Sequence, residues 1–348
     1  MAKEALFKQS NAWRKIVATF FKTNGVWKQA TPFIKVDGEW IEIGESVDRE
    51  FHLYFGIAAN LRKYDTEGNA VWNKPSSLGQ NITEITVDPQ NIYTGHEWGY
   101  LTKWDSEGNE MWQTSFFADS LYALAVDAEE YIYGGSGIRL QKRDANGDLV
   151  WSVSPDTSGT LTSIAVDVFG HVYVGWVFSS GIGRGYQISA SDGSVLGQVG
   201  ISLQSRVANV VTSPSGHVYL AGYSDRRIEK VDQNRNTVWT YQHPTSSGNI
   251  LYDISIDKQE NIYAVVDNSV FKLDSDGDLK WESNFSAGFG SRWITVTPNN
   301  EIFMTTSDGY LFRFDSEGNE IWNQRVAGVA AGYLMSEPGP YGAFPSHW

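Results

Sequence analysis

Runs of four to seven residues in which apolar and polar positions alternate recur along almost the whole chain, among them ITEITV (82–87) and YLTKWD (100–105). Such alternation, rich in Ile, Val, Thr and aromatics and bounded by Gly, Asp, Asn and Pro, predicts short half-buried β-strands. The runs fall in a fixed order. One motif is an alternating run, a polar turn, then an aliphatic–aromatic pair. Its copies are ITVDPQNIYTG (85–95), LAVDAEEYIYGG (124–135), IAVDVFGHVYVG (164–175), VVTSPSGHVYLAG (210–222), ISIDKQENIYAV (254–265) and ITVTPNNEIFMT (294–305). A second motif keeps step with it: DTEGNAVW (65–72), DSEGNEMW (105–112), DANGDLVW (144–151), DQNRNTVW (232–239), DSDGDLKW (274–281) and DSEGNEIW (315–322), with a degenerate copy ASDGSVLG (190–197).

The seven copies follow one another at steps of 40, 39, 46, 42, 42 and 41 residues from Asp65. Each repeat reads as four strands: a (ITEITV), b (NIYTG), c (YLTKWD) and d (NEMWQ). Four strands in about 40 residues form the unit of a β-propeller blade. The expected fold is therefore all-β, a seven-bladed propeller of four-stranded antiparallel blades over residues 44–348, with eight blades as the alternative. A half-copy, YLMSEPGPYGAF (333–344), is expected to close the ring by joining the first blade, whose own first strand (about 41–47) is weak.

Here the residues support a resemblance. The D-x-x-G-x-x-x-W copies resemble the tryptophan-docking repeat of the PQQ-like, or quinoprotein-type, β-propellers. The resemblance implies that Trp72, Trp112, Trp151, Trp239, Trp281 and Trp322 pack between adjacent blades. It implies nothing specific about function, because propellers of this kind include binding scaffolds without any quinone.

Composition narrows the chemistry. The chain has 348 residues and no Cys, which removes disulfides, thiolate metal sites and a Cys nucleophile. Quinoprotein dehydrogenases use calcium and, in several cases, paired cysteines, so no cofactor is expected. DSDGD (274–278) has an Asp-rich start, but Leu279-Lys280-Trp281 follow where an EF-hand would continue its oxygen ligands. The expected role of the Asp and Gly is to set a turn. Among His52, His96, His171, His217, His243 and His347 no zinc spacing occurs, and no G-x-S-x-G elbow is present. No metal site and no enzyme activity are expected. No apolar run is long enough to span a bilayer, so no membrane insertion is expected.

Antiparallel order assigns the turns to two faces. The a–b and c–d turns share one face and repeat monotonously; the b–c and d–a loops share the other and differ from copy to copy. Variable loops on a rigid ring are where binding is expected. The candidate ligand-binding residues on that face are Trp98, Tyr100, Trp176, Phe178, Arg184, Tyr223, Arg226 and Trp293, suited to host-surface glycan or protein. Should the mouth instead hold a glycan-active enzyme, Asp225, Asp267 and Asp308 are the carboxylates available.

Residues 1–35 carry a net charge of +6, against −14 for the whole chain, leaving −20 for the remainder. An acidic body argues against nucleic acid. Residues 1–43 form a separate basic segment in which KTNGVWK (22–28) and KVDGEWI (35–41) read as β-hairpins. Trp13, Trp27 and Trp40 are its candidate anchoring residues. These hairpin repeats resemble segments of bacteriophage virion proteins of tails, fibres and baseplates. That resemblance implies a non-enzymatic virion component, made in the host cytoplasm without a signal peptide and attached to other virion structural proteins through residues 1–43. The alternative is a bacterial scaffold propeller for protein–protein assembly.

Overall fold

In a computed structural model, the described residues are 51–326 apart from 89, 204, 245–249, 286–290 and 298. To these are added the backbone of six strands within residues 4–42 and of a strand at 334–336. Two compact units, 1–49 and 50–348, divide the chain.

The second unit is a seven-bladed propeller of four-stranded antiparallel sheets. Blade 2 shows the plan: strand a is Ile82–Val87, b is Asn91–His96, c is Tyr100–Asp105 and d is Glu110–Ser115. Blades 3 to 7 repeat it, with strands a at Ala123–Val126, Thr160–Val166, Val207–Thr212, Leu251–Ile256 and Ser291–Val296. Blade 1 takes strands b to d from His52–Ile57, Asn60–Asp65 and Ala70–Pro75. Its strand a comes from the other end of the chain: Leu334–Ser336 pairs antiparallel with Phe55–Leu53. The half-copy therefore closes the ring, and the count is seven. The weak strand expected near 41–47 falls mostly outside the described residues, since the strand Glu39–Glu42 is the last one before 51.

Burial follows radius. Strands a and b are almost wholly buried, whereas strand d alternates exposed and half-buried along the outer edge. Strands a stand side by side around the centre, and both faces of each sheet pack on neighbouring blades. A sheet apolar on both faces is stable only when stacked so, and the ring leaves short protected edges.

Two turn chemistries recur from blade to blade. In the c–d turn, Asp65 Oδ1 accepts the backbone N–H groups of Glu67 and Asn69, and the pattern recurs at Asp105, Asp144, Asp232, Asp274 and Asp315. Each of these carboxylates is thus turned onto its own loop as a turn-former. In the a–b turn, Asp88, Asp127, Asp167 and Asp257 do the same and also accept the phenol of Tyr93, Tyr133, Tyr173 and Tyr263 at 2.8, 2.9, 3.2 and 3.0 Å. Burial first, and the adjacent carboxylate second, push these phenols above their ordinary range.

The tryptophans join blades in the forward direction. A Cβ built on Gly318 would meet the ring of Trp281 at 2.6 Å, and Gly318 sits at φ +82, so this turn position accepts neither bulk nor an ordinary backbone. The same pairing sets Trp72 on Gly108, Trp112 on Gly147, Trp151 on Gly193, Trp239 on Gly277 and Trp322 on Gly68. Three of the indole N–H groups donate to a main-chain carbonyl of the next blade: Trp151 to Ala190, Trp239 to Ser275 and Trp281 to Ser316, at 3.1, 2.9 and 3.0 Å.

Behind each tryptophan lies a cation. Across the c–d pair, Lys63, Lys103, Lys142, Lys230, Lys272 and Arg313 sit in register with the six tryptophans. Each cation also lies over the strand-b ring of its own blade, at 5.0–5.9 Å from the centroid. Besides the ring, Lys142 Nζ donates to Ala190 O, Lys230 pairs with Glu260 and Lys103 with Glu130.

The first unit contains three antiparallel hairpins: Glu4–Gln9 with Ala12–Val17, Phe20–Thr23 with Val26–Gln29, and Phe33–Val36 with Glu39–Glu42. Their registers pair Lys8 with Trp13, Lys22 with Trp27 and Lys35 with Trp40. The two hairpins read from sequence are thus joined by a third of the same pattern.

Candidate functional site

The b–c and d–a loops gather on one face of the propeller. On that face the sequence candidates separate into three groups. Trp98 stands out, 69% exposed at the tip of the b–c hairpin of blade 2, with the half-buried Tyr100 following it. Phe178, Tyr223, Arg184, Arg226 and Trp293 are half-buried. Arg184 lies over the Phe178 ring at 5.0 Å, and Trp293 packs against a core cluster that includes Leu53, Phe55 and Phe303.

Trp176 corrects the expectation. It is fully buried and donates its indole N–H to Ser158 O at 2.8 Å. Strand b of blade 4 runs on to Val177, so Trp176 belongs to the sheet and not to the loop.

Tyr223 marks a second aromatic cluster. The exposed Arg206 stacks on it at 3.9 Å, and Tyr252, at the start of strand a in blade 6, meets it edge-on at 5.8 Å. These residues come from a d–a loop, a b–c loop and a strand a, so three elements converge. Asp225, Asp267 and Asp308 each hold a loop: Asp225 accepts Ser205 Oγ at 2.9 Å, Asp267 the Ile250 N–H at 3.3 Å, and Asp308 Thr306 Oγ1 at 2.5 Å.

A polar network unforeseen in the sequence lies on the innermost strands. In blades 2, 4, 5, 6 and 7 strand a carries a register shift one residue before Glu84, Ser163, Asn209, Asp253 and Trp293. A bulge here re-aims one side chain per blade out of the alternation. Ser163 Oγ donates to Asn209 Oδ1 at 2.7 Å, and the Asn209 amide donates to Asp253 Oδ1. Each polar group also serves the unpaired edge of the next blade: Ser163 Oγ accepts the Val210 N–H and Asp253 Oδ2 the Ile294 N–H, both at 3.0 Å. The innermost strand is a sheet edge, and these side chains satisfy its orphan donors.

Burial pushes the Asp253 carboxyl up to about 7, although the Ile294, Asn209 and Ile254 N–H groups all favour its charged form. Glu84, at the matching position of blade 2, is raised well above the carboxylate range by burial, and it also feels the charge of Asp253. Four blades carry a polar residue at this position, Glu84, Ser163, Asn209 and Asp253, but their strands hold other polar residues that hide it.

The repeat, the blade count and the forward Trp–Gly packing meet in one comparison. A family model described as outer membrane protein assembly factor BamB matches residues 58–265 and 224–340. The chain belongs to that family. Its matched residues span all seven blades, so membership in this BamB family and the PQQ-like repeat read from the sequence describe the same architecture. No curated protein matches the chain.

Proposed function

We propose that this BamB-family propeller is a non-enzymatic binding scaffold whose variable face takes up a protein or glycan partner. The observation that supports it most is the contrast between faces. The a–b and c–d turns repeat one hydrogen-bonded design, while the opposite face presents Trp98 and the Arg206–Tyr223–Tyr252 cluster. The family description, an assembly factor, fits a role in holding other proteins together. Arg206→Ala combined with Tyr223→Ala is expected to weaken capture of the native partner at least tenfold while leaving the unfolding temperature within a few degrees. Unchanged capture removes the variable face from the reading.

The finer reading is a bacteriophage virion component attached through residues 1–43. It is supported by three hairpins that repeat one pattern, with a lysine opposite Trp13, Trp27 and Trp40. A variant lacking residues 1–43 is expected to lose its place in the assembled particle. Incorporation at the wild-type level excludes the virion attachment and leaves the scaffold.

A further inference from the structure

Trp98 occupies a backbone position that its side chain disfavours. Its φ and ψ are 63° and 20°, and Gly99 follows at φ 74°. Two successive positive φ values make the tight hairpin turn that Asn-Gly or Gly-Gly form without strain. The corresponding turns of blades 1, 3 and 6 put Ala58, Gly137 and Asp267 at positive φ. A bulky residue there is uncommon.

The surrounding contacts hold the turn and do not cover the ring. Glu97 N–H donates to Asn81 O at 3.0 Å, and Gly99 O accepts Phe116 N–H at 2.7 Å and Phe117 N–H at 3.2 Å. A Cβ on Gly99 would lie 2.5 Å from the carbonyls of Phe117 and Asp119. The turn is therefore clamped on both sides while the indole projects into solvent. Tyr122, 51% exposed, lies on the same face in the loop that follows Asp119. Leu121, its neighbour, is tied across to blade 2 by Thr83 Oγ1 at 2.6 Å.

Charge decides the occupant. Glu97 flanks the indole in sequence, and the exposed Asp119 has its main chain against Gly99. Glu97 accepts the Asn81 amide at 3.1 Å, and among the described residues neither Glu97 nor Asp119 has a cation within 4 Å. An exposed indole on a turn that carries Glu97 and packs on the Asp119 main chain, with neither carboxylate ion-paired, matches a guanidinium or ammonium group.

We infer that Trp98, with Glu97 and Asp119, is a preorganised docking site for an arginine- or lysine-bearing extended segment of a partner protein. This rests on the variable face being the binding face, and names what one part of it takes. The test uses the full chain and a capped Gly/Ser peptide carrying two arginines, with its citrulline counterpart and a neutral glucose hexasaccharide as controls. Trp98→Gly is expected to weaken the arginine peptide at least tenfold and to leave the thermal midpoint equal or higher, since Gly relieves the turn. Glu97→Gln is expected to weaken it several-fold and flatten its salt dependence. Three results overturn the inference: peptide affinity unchanged in Trp98→Gly, a lowered midpoint that makes the indole structural, or a hexasaccharide that binds through Trp98 while the peptide does not. If the native partner is captured equally by wild type and Trp98→Gly but lost with Arg206→Ala/Tyr223→Ala, this site fails and the binding face stands.

Discussion

Six junctions of the ring set a tryptophan on a glycine of the next blade, whereas the junction between blades 4 and 5 sets Gly197 against Arg235. The exchange involves three positions. Where other blades have Trp, a Lys or Arg, and a following Gly, this junction has Gly197, Gln187 and Arg235. Arg235 adopts φ +71, the turn conformation that glycine holds elsewhere, and reaches back so that a Cβ on Gly197 would lie 3.0 Å from its Nε. It donates to Gln187 Oε1 at 3.0 Å, and Gln187 Nε2 donates to the Tyr173 phenol at 3.0 Å. The cation that other blades supply from their own strand c arrives here from the neighbour. The junction therefore conserves a filled space and a cation beside the strand-b tyrosine, and does not conserve the residues that provide them.

The largest expected effect separates the two kinds of junction. Trp281→Ala removes a ring packed on Gly318 and Tyr263 together with the bond to Ser316 O. It should cost about 3 kcal/mol in denaturant unfolding, the low end for a large aromatic because the ring is half-buried. Arg235→Ala should cost about 1 kcal/mol, since a long exposed stem replaces an aromatic plate and losing the αL arginine leaves a partly solvated gap. Equal costs at the two sites would mean that the tryptophan is not what sets junction strength.

The exchange itself can be reversed. Gly197→Trp alone drives an indole into the Arg235 guanidinium and puts a side chain on a backbone at φ +153, and should destabilise by about 3 kcal/mol. Combined with Arg235→Gly, which restores the glycine floor, the part due to the clash should return and the backbone strain should stay, giving a coupling of about 1 kcal/mol in a double-mutant cycle. Additive losses would show that the two positions do not share one space.

A third comparison lies at the junction of blades 5 and 6, where Glu260 reaches back from an a–b turn to Lys230 Nζ and Tyr219 OH, both at 3.1 Å, and to Ser215. Burial raises its carboxyl, but the Ser215 hydroxyl and Lys230 ammonium outweigh burial and hold it at about 2. A carboxyl depressed on folding stabilises above its unfolded range near 4.5, and that stability is lost as pH falls through about 2. Glu260→Gln should therefore cost about 2 kcal/mol at pH 7, and the gap to wild type should close as pH approaches 2. A gap independent of pH would assign the loss to packing alone.

Much of this was legible in the chain because a repeat states its rules several times. The step near 41 residues, the turn Asp and Gly, the Trp positions and the closing half-copy each follow from aligned copies. What was not legible depends on boundaries and on contacts between copies. Trp176 reads as loop because Gly175 precedes it, yet strand b of blade 4 is two residues longer than that reading and takes the indole inside. Asp253 reads as one more polar position in an alternation, because a bulge leaves no mark in a period of two. The Gly197–Arg235 exchange sits in two different copies and becomes a pair only when the tryptophan is known to pack forward.

The smallest expected effect falls on the innermost ring. Asp253 is a carboxyl whose folded value, about 7, lies above its ordinary 3.8. A group raised on folding contributes most below the unfolded value, and that contribution declines as pH rises through 7. Asp253→Asn removes the titration, so stability measured from pH 4 to 8 should decline less steeply than in wild type. At pH 4 the wild-type carboxyl is protonated and, like the amide, turns a donor toward one of two N–H groups, Asn209 Nδ2 or Ile294 N, so the two proteins should start within about 1 kcal/mol of each other. The curves should then separate toward pH 8 in favour of the variant, where the wild-type carboxylate carries its full desolvation cost. Parallel curves would place the proton elsewhere, with Glu84 the next group to test because it shares the same position of strand a and feels the Asp253 charge.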